Sequence, residues 1–243
     1  MPENKYDDSV FFEKYSQMSR SRQGLEGAGE WRTLQALLPD FTGKRVLDLG
    51  CGYGWHCIYA AEHGARSVTG VDVSEKMLQT AREKTSAPQV RYLHMPMEEI
   101  DFPAGSFDVV FSSLAFHYIE DFPALLGRIS ACLAGGGELI FSVEHPVFTA
   151  QGPQDWVYTP SGEIDHFPVD HYFSEGKREA RFLGEAVTKY HRTLTTYLDS
   201  LLTGGFQLLR VVEPQPPEDM LHLPGFQDEL RRPMMLIVSA RKL

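Results

Sequence analysis

An apolar pair, Val46-Leu47, runs into Asp48-Leu49-Gly50-Cys51-Gly52-Tyr53-Gly54, so an acid is followed by three glycines spaced two apart. This pattern lets a strand break sharply into a helix while leaving backbone N–H groups bare for a ligand. Gly50 and Gly52 supply backbone angles that other residues avoid, and they let a ligand approach the main chain. A pyrophosphate site needs G-x-G-x-x-G; counted from Gly50 its last position is Trp55, so the NAD reading fails at its most restrictive point. The next apolar run, 67–71, closes on Asp72, twenty residues beyond Gly52. Doubly wound folds keep an acid at about that distance to accept hydrogen bonds from ribose hydroxyls. Glycines alone would be a weak signal. Loop, spacing and acid together are a strong one, and a bare α/β turn without a ligand is the competing reading.

The elements needed to position these residues alternate along the chain. Residues 10–38 read as one or two helices, with Val10-Phe11-Phe12 and then Trp31, Leu34, Leu37 and Leu38 apolar before Pro39 stops the pattern. Strands are expected at 45–49, 67–71, 90–94, 107–112 and 138–143, with helices at 55–63, 74–85 and from an N-cap at Asp121 to the Gly135-Gly136-Gly137 stop. Repeated βα units imply a parallel sheet with helices on both faces. Past Pro146 the pattern changes to an aromatic-rich stretch, 147–187, broken by Pro153, Pro160 and Pro168. A helix is then expected at 193–202 and two closing strands at 206–213 and 234–241.

The D-x-G-x-G-x-G run at Asp48–Gly54 resembles motif I of the class I S-adenosylmethionine-dependent methyltransferases, and Gly70-Val71-Asp72-Val73-Ser74 with Met77-Leu78 resembles motif II. The resemblance is specific over 44–145 and loose elsewhere; its nearest branch includes the ubiquinone/menaquinone-biosynthesis type. It implies a Rossmann-like, seven-stranded, mostly parallel α/β sheet in the order 3-2-1-4-5-7-6, the last strand antiparallel. It also implies S-adenosylmethionine as donor and S-adenosylhomocysteine as product. The chain then divides into a helical N-terminal cap (1–43), a cofactor-binding core (44–145), a lid insertion (146–190) and a closing part of the core (191–243), all within one domain. In such folds ligands sit at the carboxyl ends of the strands. Asp48, Gly50, Cys51 and Gly52 are therefore expected at the methionine part of the cofactor, Asp72 at the ribose and Val73 against the adenine. The family's adenine-binding Asp is missing, its place taken by Pro96, which leaves Met97 and Glu98 to read the base. Ser113 and Leu114 lie where the chain passes under the sulfonium, and His117 where the family often faces the reactive methyl. Tyr15 and Arg20 resemble a Tyr…Arg pair that caps the cofactor in some small-molecule members, the arginine gripping a carboxylate; a surface salt bridge is the alternative.

For the acceptor, His145, His191, Arg192 and Glu213 follow strand or lid ends and are expected to line its pocket under an aromatic lid. Methyl transfer mainly needs positioning and exclusion of water, with His117 or His145 as base if the acceptor arrives protonated. The alternative for the His191-Arg192 pair is a brace between lid and core. The aromatics of the insertion are expected to form a small core rather than a cation–π cage.

Composition narrows the partners. A net charge of −10, with no Lys/Arg run longer than a pair, argues against a broad nucleic-acid or anionic-membrane surface. Cys51, Cys57 and Cys132 cannot all pair, and no C-x-x-C or His/Cys cluster suggests a metal. Met1-Pro2-Glu3-Asn4-Lys5 lacks an apolar leader and no apolar stretch approaches about 18 residues. A cytoplasmic enzyme with a small-molecule acceptor is expected; a homodimer is allowed but not required. Three rivals stand beside it: an oxidoreductase, disfavoured by Trp55; a cofactor-binding module without catalysis, disfavoured by the long insertion; and a methyltransferase of nucleic acid or protein. The last is disfavoured by the acidic balance and by Ser112-Ser113-Leu114-Ala115, which lacks a proline-aromatic shelf for a planar base.

Overall fold

Val46, Leu47 and Leu49 are almost wholly shielded from solvent, as are Val68, Val71, Val109 and Val110 in neighbouring strands, because each strand is covered by helices on both faces. The computed structural model describes residues 4–243; the leading Met1, Pro2 and Glu3, expected to open a segment without a leader, lie outside the described residues. In chain order the elements are α1 (Ser9–Ser16), α2 (Ser19–Arg22), α3 (Trp31–Gln35), β1 (Arg45–Leu49), α4 (Trp55–Glu62), β2 (Ser67–Asp72), α5 (Glu75–Lys84) and β3 (Val90–His94). They continue with β4 (Phe107–Ser113), α6 (Phe122–Cys132), β5 (Leu133–Glu144), α7 (Pro146–Thr149), β6 (Val157–Tyr158) and β7 (Ile164–His166). The chain closes with β8 (Gly176–Phe182), β9 (Glu185–His191), α8 (Leu194–Thr203), β10 (Phe206–Val212), α9 (Phe226–Glu229) and β11 (Met235–Lys242).

Among the described residues, seven strands form the main sheet in the order β10-β11-β5-β4-β1-β2-β3. β11 runs antiparallel to both neighbours, while β1 to β5 pair in parallel. The register brings Leu49 beside Val71, Asp72 beside His94, Ser113 beside Ser142 and Met235 beside Glu144. The carboxyl ends of β1, β2, β4 and β5 and the start of β11 thus share one edge. Two apolar layers flank the sheet, one built on Phe116, Phe122, Phe141 and Tyr197, the other on Trp31, Leu34, Cys57 and Leu78.

Helix starts follow local chemistry. Asp8, Ser74, Asp121 and Thr193 each accept a backbone N–H in the first turn of α1, α5, α6 and α8, satisfying donors the helix cannot pair. Two expectations about elements need correction. The helical stretch at 10–38 breaks into short pieces, and Gly24, Gly27 and Gly29, poor helix formers, lie in the gap between α2 and α3. β5 begins at Leu133, not 138: α6 stops at Cys132, and the three glycines run within the strand beside β4 through a register shift between Phe107 and Val109. The insertion, in which the sequence alone assigns no elements, holds two antiparallel hairpins, β6–β7 and β8–β9.

Within it Phe148 stacks on Phe167 at 5.7 Å and Trp156 meets Phe167 edge-on at 5.2 Å. The guanidinium of Arg232 sits 4.6, 5.1 and 4.9 Å from the rings of Phe148, Trp156 and Phe167. These aromatics are at once a small core and a cation–π cage, filled by an arginine of the same chain. Among the described residues no helix is long and apolar enough to cross a membrane.

Candidate active site

One cavity of about 560 Å³ opens along the shared strand edge, within the size range of small-molecule sites. Its floor is Gly50 and Gly52 after β1, Asp72 and Val73 at the end of β2, and Pro96, Met97 and Glu98 after β3. Ser113, Leu114, Ala115 and His117 follow β4, and Glu144 ends β5. The roof has two parts: Tyr6, Tyr15, Met18 and Arg20 from the N-terminal segment, and Phe182, Thr188, Lys189 and Tyr190 from the β8–β9 hairpin. Phe11 against Phe182 at 5.8 Å and a Lys14–Glu185 ion pair at 3.1 Å join the two parts. A recess of about 80 Å³ shares Tyr15, Arg20, Gly50, Gly52 and Ser113 with the cavity and has Cys51 on its wall.

The glycine loop is shaped from both sides. Gly50 holds φ +74°, and a Cβ there would lie 2.4 Å from Ala115 Cβ, so the loop and the turn after β4 touch directly. Gly52 has φ +52° and a Cβ there would meet nothing within 4 Å, because it faces open space. Alanine at Gly50 adds a left-handed penalty of about 1–2 kcal/mol and an overpacking cost of about 1–3 kcal/mol. Gly50→Ala is therefore expected to lower unfolding free energy by about 2–5 kcal/mol in a denaturant titration; an unchanged midpoint would mean that Ala115 gives way freely.

Asp72 accepts the Gly52 N–H on Oδ2 at 2.8 Å and the Ser74 N–H on Oδ1 at 2.9 Å. A carboxylate offers about four acceptor positions, so two remain for hydroxyls presented from the cavity. Burial raises its pKa despite these backbone donors. Leu114 adopts φ +52°, uncommon for a side chain of its kind, and its N–H donates to Ser142 O at 2.9 Å. Such strain costs about 1–3 kcal/mol and collects at functional turns.

Asp48 lies beneath the loop and off the cavity wall, its Oδ2 accepting from Cys57 Sγ at 3.3 Å. Burial pushes its pKa up to about 7. Its place is in the core beside α4, off the cavity wall. The Cys51 thiol is likewise pushed up to about 11 by burial and stays protonated. Arg20 reaches the cavity, but one of its terminal nitrogens already donates to both oxygens of buried Glu30, at 2.8 and 3.0 Å. Tyr6 and Tyr118 join through their hydroxyls at 3.0 Å.

Four expected acceptor contacts are corrected by the packing. His145 accepts the Val147 N–H at 3.0 Å to cap α7, and its Nε2 stands 2.9 Å from Glu213, away from the cavity. Its burial lowers its pKa. His191 is wholly buried between Thr149 Oγ1 and Tyr172 O, each at 2.8 Å. Arg192 donates to the carbonyls of Ile119 and Glu120 and lies over the rings of Phe122 and Tyr197. His191 and Arg192 brace the insertion to the core, a role their position at the end of β9 allows. His117 does reach the cavity, but its Nδ1 accepts the Glu144 N–H at 3.3 Å. Burial pulls its pKa down to about 4, so the ring is neutral, with its proton on Nε2. It is a donor and a poor base.

A methyltransferase-domain family model matches residues 47–141. The crystal structure of a Listeria monocytogenes protein assigned as an S-adenosylmethionine-dependent methyltransferase is 54% identical, with a TM-score of 0.86, covering 90% of this chain and 99% of that one. A second such structure, from Mesorhizobium loti, is 41% identical with a TM-score of 0.84, over 90% of this chain and 100% of that one. The chain belongs to the S-adenosylmethionine-dependent methyltransferases. Named curated relatives match over shorter stretches. A tRNA U34 carboxymethyltransferase from Alcanivorax borkumensis is 35% identical over 52% of this chain and 41% of its own length. A malonyl-[acyl-carrier protein] O-methyltransferase from Pectobacterium atrosepticum is 36% identical over 45% and 42%. The chain spans about two fifths of the length of these two.

This methyltransferase takes S-adenosylmethionine as its cofactor and transfers its methyl group. The residues fit the group: Gly52 leaves open space where a side chain would intrude, and Asp72 keeps acceptor positions turned to the cavity. Sequence reasoning missed the most charged part of the methyltransferase's cavity. Lys189 Nζ donates to Glu144 Oε1 at 2.6 Å and to Gln154 Oε1 at 3.0 Å, while Gln154 Nε2 donates to Glu144 Oε2 at 2.7 Å. Glu144 adjoins His145, which drew attention instead, and Lys189 lies two residues before His191 in an exposed-looking hairpin. Only the alternation along β9, with Val187, Lys189 and His191 buried, signals that Lys189 points inward.

Proposed function

We propose that this enzyme methylates a small molecule enclosed between the glycine-loop edge and the β8–β9 hairpin. The carrying observation is that a single roofed cavity runs from Asp72 past Leu114 and His117 to Glu144 and Lys189. Cofactor and acceptor would lie end to end in it, with water excluded by the roof. In this reading Asp72 accepts the ribose hydroxyls, Val73, Met97 and Glu98 surround the adenine, and Gly50, Cys51 and Gly52 border the methionine part. Asp48 supports that loop from below, and Ser113 and Leu114 pass beneath the sulfonium. Arg20 and Tyr15 close the methionine end, the arginine serving there while held by Glu30. The segment 146–190 acts as the lid on the 44–145 core, within one domain capped by 1–43 and completed by 191–243.

The named relatives act on a tRNA and on an acyl-carrier substrate, so both sizes of acceptor occur among similar chains. The net charge of −10 and the enclosing roof favour a small, cytoplasmic acceptor over a polyanion. The test incubates the protein and methyl-tritiated S-adenosylmethionine with a metabolite extract, and separately with total tRNA. Label is expected in the low-mass fraction alone; label in tRNA would overturn the reading.

A further inference from the structure

We infer that Glu144, braced by Lys189 and Gln154, is the group that receives the acceptor, and that the acceptor presents an amine or hydroxyl hydrogen there rather than a carboxylate. This rests on the small-molecule reading above. Glu144 ends β5 on the cavity wall, and each of its oxygens already takes one hydrogen bond, from Lys189 and from Gln154. The remaining acceptor positions of a carboxylate can take hydrogens only. Beside it the His117 ring, its Nδ1 committed to the Glu144 N–H, carries its proton on Nε2. Donor and acceptor thus stand side by side, a pairing that suits a group with both a hydrogen and a lone pair.

The wider charge of the walls points the same way. Asp72, Glu98, Glu120 and Glu144 all line the cavity. Of its cations, Arg20 is committed to Glu30, Lys189 to Glu144 and Gln154, and Lys177 stands at the exposed rim. A carboxylate entering this space would be desolvated opposite like charge. Much of the rest of the wall is apolar or aromatic, with Tyr6, Tyr118, Phe182, Tyr190, Met234 and Met235. That lining suits an apolar or aromatic body behind the polar group.

The full-length protein, saturated with S-adenosylhomocysteine, is titrated with three probes of one shape: benzylamine, benzyl alcohol and benzoate. Benzyl alcohol, and benzylamine titrated above the pKa of its ammonium, are each expected to bind at least about tenfold more tightly than benzoate. The comparison variant is the double exchange Glu144→Gln/Lys189→Gln, which swaps the ion pair for two amides and leaves no buried charge unpaired. It is expected to lose at least about tenfold of that preference while S-adenosylhomocysteine affinity stays within about twofold. Equal or tighter binding of benzoate, an unchanged preference in the double variant, or no probe binding up to about 10 mM would each overturn the inference. If S-adenosylhomocysteine itself does not bind, the reading on which it rests falls, and this one falls with it.

Discussion

Asp72→Ala is expected to weaken S-adenosylhomocysteine binding by at least about a hundredfold in titration calorimetry. Hydrogen bonds to a charged group contribute about 1.5–3 kcal/mol each, so losing two ribose contacts removes about 3–6 kcal/mol. Water entering the space left behind offsets part of this loss and places the expected effect at the lower end. The same exchange also frees the N–H groups of Gly52 and Ser74, which the carboxylate now holds at 2.8 and 2.9 Å. The glycine loop and the start of α5 would therefore loosen together. Asp72→Asn keeps one acceptor oxygen and is expected to fall between wild type and alanine. Burial raises the Asp72 pKa, and the ionised form is the one that accepts both hydroxyls. Cofactor affinity is thus expected to be full above that raised value and to fall as pH drops through it. Affinity unchanged in Asp72→Ala would remove Asp72 from the ribose site.

Lys189→Ala is expected to destabilise the fold by about 3–5 kcal/mol, because it strands a carboxylate in the interior. For a chain of this size that is a fall in Tm of about 6–20 °C. The side chain of Lys189 is 3% exposed and that of Glu144 14%, so solvent screens the pair little. Burial opposes the charge on Glu144, but Lys189 and the hydrogen bond from Gln154 beside it outweigh that and hold its carboxyl below the usual range. The stabilisation from this lowered pKa is present at neutral pH and is lost as pH falls through the depressed value. Glu144→Gln/Lys189→Gln is expected to recover most of the lost stability, since removing both charges together leaves neither unpaired. A Lys189→Ala melt within about 2 °C of wild type would show that the pair contributes little.

The frame of the protein and the glycine-loop edge of its cavity were legible in order along the chain. β1, β2 and β4 carry continuous apolar runs because both their faces are covered, and such runs identify themselves. Gly50, Gly52 and Asp72 announce their place because a strand-to-helix turn and a strand-end acid are local features. The glycines at 135–137 misled, since the same residue that ends a helix also tolerates a register shift inside a strand. The four residues first expected at the acceptor misled for another reason. Histidine, arginine and glutamate look reactive in a list, yet His191 and Arg192 spend their polar atoms on Thr149, Tyr172, Ile119 and Glu120.

By itself the sequence determined the doubly wound sheet, the glycine turn and the acid at the end of the second strand. Each follows from side-chain period and backbone sterics within a few residues. Tertiary structure alone decided the roof and the charged end of the cavity, where Lys189 meets Glu144 across 45 residues and Tyr6 meets Tyr118 across 112. A hydrogen bond or ion pair between distant segments leaves no period in the chain. Its partners are chosen by how the insertion and the N-terminal segment fold back over the sheet.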